Sequence, residues 1–142
     1  MHALYAGEAE RARSLLGPDD GLGVFDAAAF GRVERLRSLL GADRAAARAV
    51  SEDGFTALHL AVFGGQAEAA RILIGHGADL DAISTAAIAQ VTPLGTAAFV
   101  RSVPLARLLL EAGADPTIGA PLATAEANGD GELAALLRSY AA

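Results

Sequence analysis

Three histidines and a handful of carboxylates are what this sequence offers for acid–base or metal chemistry. His2, His59 and His76 are far apart, and no HxH or HExxH pattern occurs. No Asp/Glu cluster has ligand spacing, so neither a zinc site nor a metal-activated water is expected. Cysteine is absent, which removes disulfides and thiolate ligands and leaves the redox compartment open. Gly21-Leu22-Gly23 could begin a phosphate-cradling turn, but Val24, Phe25 and Asp26 follow, with no third glycine and no preceding strand. Gly75-His76-Gly77 reads as a helix stop, where a cationic His76 is well placed. Asp79 and Asp115 are the remaining nucleophile candidates, and no base converges on either. The expectation is a non-enzyme with no catalytic residue, cofactor or metal.

These residues ride on repeated elements. GEAERARSLLG (7–17) returns as GRVERLRSLLG (31–41), with eight of eleven positions identical. Weaker copies follow as GQAEAARILIG (65–75), RSVPLARLLLE (101–111) and GDGELAALLRS (129–139). Small or apolar residues at the third and sixth positions and an apolar pair near the end lay one stripe along a helix. Ahead of each copy lies a shorter apolar segment: ALYA, DAAAF, TALHLAVF, TPLGTAAFV and PLATAEAN. Thr56 and Thr92 stand where an N-cap belongs, and Pro93 and Pro121 at the first helical position. The unit is helix, tight turn, helix. Helices this short are marginal alone and must stack on neighbours.

The 142 residues suffice for one domain with a real core. Apolar residues make up 53 % of the chain and aromatics 5 %, a balance that with abundant Ala and Leu favours closely packed helices. All 11 basic residues are Arg, and 17 carboxylates leave a net charge of −6, which argues against a nucleic-acid partner. The segment 82–100 contains too many polar residues, Gly and Pro for a membrane helix. The start MHALYAGEAER lacks the basic and apolar pattern of a secretory signal, so a cytoplasmic location is expected. Glu8, Glu10, Arg11 and Arg13, like Glu34, Arg35 and Arg37, read as solvated outer faces, with ion pairs worth about 0–1 kcal/mol each.

The segment 56–82 resembles the ankyrin repeat closely. Thr56-Ala57-Leu58-His59-Leu60-Ala61 matches its T-P-L-H-x-A signature, and Gly77-Ala78-Asp79 its ending. Thr92-Pro93-Leu94 and Gly113-Ala114-Asp115 match in the next unit. The resemblance implies a single all-α solenoid of about five units: 1–20 and 119–142 as degenerate caps, with 21–50, 51–84 and 85–118 between them. It makes His59 a hydrogen-bonding brace to loop backbone and to the Thr56 hydroxyl, and Asp79 and Asp115 loop-bracing carboxylates. Gly95 stands in place of the signature histidine, Arg101 replaces the interhelix glycine, and Pro104 sits in the first turn of the following helix. The family projects a β-hairpin finger between units. The gaps from Asp43 to Thr56 (13) and from Gly77 to Thr92 (15) are long enough for one, whereas those of 3 and 7 at the ends are not. Ten helices are expected, with two fingers, at 44–55 and 80–91.

The resemblance also implies a protein-binding module. In such a unit two variable positions in the last turn of the first helix point toward a concave groove. Alignment places Tyr5, Ala29, Phe63, Phe99 and Ala127 at the first, and Ala6, Phe30, Gly64, Val100 and Asn128 at the second. Phe55 and Val91 take the variable place at the finger base. The expected partner surface is therefore Tyr5, Phe30, Phe55, Phe63, Val91, Phe99 and Val100, an apolar groove facing an unidentified protein, with no membrane or nucleic acid involved. A monomer is favoured; the alternative is a structural or homodimeric module with no dedicated hetero-partner.

Overall fold

The computed structural model describes residues 23–85 and 90–141. They form four helix pairs: α1 (Val24–Phe30) with α2 (Val33–Ala42), α3 (Ala57–Phe63) with α4 (Ala67–Gly75), α5 (Pro93–Phe99) with α6 (Val103–Ala112), and α7 (Pro121–Ala127) with α8 (Gly131–Ala141). The first helices stack in one layer, α1 on α3 on α5 on α7, and the second helices in another, α2 on α4 on α6 on α8. The expected first unit, 1–20, lies outside the described residues, so eight of the ten expected helices are seen.

Side-chain caps start four of the eight described helices, α3, α5, α6 and α8. The Thr56 hydroxyl accepts from the His59 N–H and the His59 ring accepts from the Thr56 N–H, a reciprocal capping box. Thr92 accepts from the Gly95 N–H at 3.0 Å, with Pro93 opening the helix behind it. Ser102 accepts from the Leu105 N–H, and Pro104 in the first turn blocks no bond the helix needs. Asp130 accepts from the Leu133 N–H at the start of α8.

Small residues let the first helices approach closely. Ala27, Ala28, Ala57, Ala61, Ala97 and Ala98 are buried, and Leu58 and Leu94 fill the space between the layers. The second helices contribute Leu36, Leu40, Leu73, Leu109 and Leu137. Burying one such side chain contributes about 1.5–3 kcal/mol.

The two β-hairpin fingers are absent: no strand forms among the described residues, and one isolated bridge joins Val50 to Thr56. In the first loop a 3₁₀ helix, Arg44–Arg48, uses the residues that a finger's outgoing strand would need. Asp43 starts it by accepting from the Ala45 N–H. The remaining chain turns at once. Ser51 N–H donates to the Phe55 carbonyl, while the Ser51 hydroxyl accepts from the Phe55 N–H. In the second loop Ser84 does the same with Val91: its N–H donates to the Val91 carbonyl and its hydroxyl accepts from the Val91 N–H, both at 2.9 Å. A serine side chain that takes the partner's N–H competes with the second rung of a ladder.

Neighbouring loops bond instead to one another. Arg48 Nε donates to the Gly77 carbonyl at 2.8 Å, Thr85 N–H to the Gly54 carbonyl at 2.9 Å, and Asp115 N–H to Asp81 Oδ1 at 2.8 Å.

The turn inside each helix pair passes through a left-handed residue. Three are glycines, Gly31, Gly65 and Gly129; the fourth is Arg101, with φ 60°. A residue with a Cβ in this region costs about 1–2 kcal/mol.

Candidate functional site

The last turns of the first helices present two columns of side chains. In the first column Phe63 and Phe99 are 62 % and 65 % exposed, the two most exposed large apolar residues among those described. They occupy the same position in adjacent stacked helices. Ala127 of this column is exposed and Ala29 half-buried.

Two members of the second column, Gly64 and Asn128, meet the preceding unit. A Cβ on Gly64 would lie 2.5 Å from the Ala29 carbonyl oxygen, so only glycine fits there. Asn128 in the same column donates from Nδ2 to the Ala98 carbonyl. Phe30 and Val100, also in this column, are half-buried.

At the base of the loops the side chains engage His59. Its Nε2 lies 2.7 Å from the Val91 carbonyl, which can only accept, so Nε2 carries the proton. Nδ1 is then the acceptor, taking the Thr56 N–H at 3.3 Å and the Thr56 hydroxyl at 2.8 Å. The Phe55 ring meets the imidazole edge-on, 5.9 Å between centroids. His59 is 1 % exposed, and burial holds it below the ordinary histidine value, against the opposing pull of the Val91 and Ala82 carbonyls and of Asp79. Phe55 and Val91 are half-buried around this brace.

The carboxylates are likewise occupied by backbone. Asp79 Oδ1 accepts from the Asp81 N–H at 3.0 Å. Asp115 Oδ1 accepts from the Thr117 hydroxyl and N–H, which holds its carboxyl below the usual range. His76 Nδ1 donates to the Ile72 carbonyl. Among the described residues no three His, Asp or Glu converge as a metal site, and no helix is long and apolar enough to cross a membrane.

A profile of ankyrin repeats, three copies, matches residues 24–120. The chain belongs to the ankyrin repeat family. No curated protein matches its sequence. Ankyrin repeats serve in general as protein–protein interaction modules.

Of the seven ankyrin groove residues expected from sequence, two are clearly offered to solvent, Phe63 and Phe99. Phe30, Phe55, Val91 and Val100 are partly covered, and Tyr5 lies outside the described residues. Sequence reasoning missed the polar loop residues Arg48, Asp81 and Ser84, which tie this ankyrin stack together. No family signature marks them; serines at the loop necks were the available signal.

Proposed function

We propose that this ankyrin domain is a non-enzymatic, cytoplasmic binding module that takes a partner protein on the face carrying Phe63 and Phe99. One observation supports the reading: two large rings stand exposed at equivalent positions of neighbouring helices whose interior positions are already filled by Leu58, Ala61, Leu94 and Ala97. The rings are not needed to fill the core. Each would contribute roughly 1.5–3 kcal/mol if buried by a partner, the magnitude of an interface hot spot. Phe30, Phe55, Val91 and Val100 form the flanks of that surface.

The test is affinity capture from the native host with the wild-type domain and the double variant Phe63→Ser, Phe99→Ser. The double variant should keep its Tm and lose the proteins that the wild type enriches. Unchanged capture by a folded double variant refutes the assignment. Light scattering over a concentration series separates a hetero-partner from self-association through the same rings.

A further inference from the structure

The opposite layer carries a second surface. A groove of about 890 Å³ runs between α4 and α6 and reaches the start of α8. Its apolar floor includes Ile74, Val103 and Leu108, and Arg71, Arg101 and Arg107 line it. Arg71 and Arg107 sit at the same position of adjacent second helices, as α4 and α6 both begin four residues earlier. Arg71 approaches Glu68 at 3.6 Å on an exposed face; Arg101 and Arg107 make no ion pair or side-chain hydrogen bond among the described residues. In a protein of net charge −6, three of 11 arginines meet at one groove, two of them with unused guanidinium donors.

Arg101 carries a second signal. Its three counterparts are glycines, which adopt the left-handed turn without strain, and Arg101 holds the same turn with φ 60°. A cation just ahead of a helix N-terminus also opposes the helix dipole. Local stability therefore argues for glycine at this position, and the side chain that stands there instead enters the groove. Strain of this kind collects where a side chain is needed for binding.

We propose that this groove docks an acidic segment of a partner protein, with an apolar side chain on the floor and flanking carboxylates on Arg71, Arg101 and Arg107. Guanidinium forks match carboxylates in geometry, and the apolar floor selects a peptide over a free anion. Glu111 and Glu132, which also border the groove, disfavour a uniformly acidic chain and orient the segment so that its carboxylates face the arginines. The site is independent of Phe63 and Phe99.

The probe is a short fluorescein-labelled peptide of glutamate and leucine, read by anisotropy against the whole protein. Saturable binding that weakens with added salt is expected, with the glutamine–leucine analogue bound at least about tenfold more weakly. The variant R71Q/R101G/R107Q should lose about tenfold or more in affinity, while Arg101→Gly alone should weaken binding and keep or raise the Tm. That combination separates recognition from unfolding. Phe63→Ser with Phe99→Ser should bind the peptide as the wild type does. Equal binding of the glutamine analogue, or unchanged affinity of the triple variant, overturns the proposal. So does complete displacement by millimolar inorganic phosphate, which would make this a small-anion site. A dimer dissolved by the arginine substitutions would make the occupant a second copy, and would overturn it as well.

Discussion

The imidazole of His59 and the carbonyl of Val91 are separated by 32 positions in the chain and meet at 2.7 Å, so the cap of α3 is also the anchor of the loop that leads to α5. The same carbonyl accepts from the Ser84 N–H. One histidine thus ties a helix start, a loop neck and the next repeat. Removing it by His59→Ala leaves the Thr56 N–H and part of the Val91 carbonyl without a partner. The expected loss is about 1–3 kcal/mol, read by urea unfolding.

Protonation should act in the same direction. The folded state holds His59 below the ordinary value, so it favours the neutral ring. Above the unfolded value of about 6.5 this contribution is fully present. As pH falls below it, the unfolded chain takes up a proton that the folded chain refuses, and stability is lost down to the folded value. The wild-type Tm should therefore drop between about pH 7.5 and 5.5 by more than that of His59→Gln. Parallel curves for the two proteins would show that His59 does not supply this slope.

Two helix-end glycines should respond oppositely to alanine. A Cβ on Gly95 would meet Thr92 and Val91 at 3.5 Å, an ordinary contact, so Gly95→Ala should stabilise the domain by about 0.4–1 kcal/mol. A Cβ on Gly64 would press the Ala29 carbonyl at 2.5 Å. Gly64→Ala should cost about 1–3 kcal/mol, as overpacking does. Thermal melts of the two variants, shifted in opposite directions, are the check.

Leu73 is completely buried between the layers in the middle of the stack. Leu73→Ala should cost about 2–5 kcal/mol and unfold both flanking units together, because α4 packs on α2 and α6 as well as on its own α3. Hydrogen exchange should show protection lost in α2 and α6 as well as in α4.

The helices were legible because their signals are local: Thr56, Thr92 and the prolines mark starts, and the apolar stripes need only a period of 3.6. The shared register of Phe63 and Phe99 was legible because repeat alignment transfers position from one unit to the next. Their exposure was not, because the same rings could equally have packed beneath a neighbouring loop. The fingers were misread because loop length was the only signal used. Thirteen or fifteen residues permit a hairpin, but Ser51 and Ser84 give the backbone another partner, and residues 44–48 coil into a 3₁₀ turn. In the second column variability between units resembles freedom, yet two of its members are held by packing. Gly64 and Asn128 differ for another reason: each matches the carbonyl of the preceding unit that it touches.

The reach of Arg44 and Arg48 bears on how this stack could be cut and rejoined. Both donate forward, to the Gly75 and Gly77 carbonyls at the end of α4. A cassette excised at the sequence repeat boundaries, 51–84, separates these arginines from the carbonyls they serve. A cassette running from 44 to 79 keeps donor and acceptor in one piece and begins and ends on the same side of a helix pair. Duplicating that segment should lengthen the stack with its loop contacts intact, making the module for engineering one offset from the module that the sequence displays.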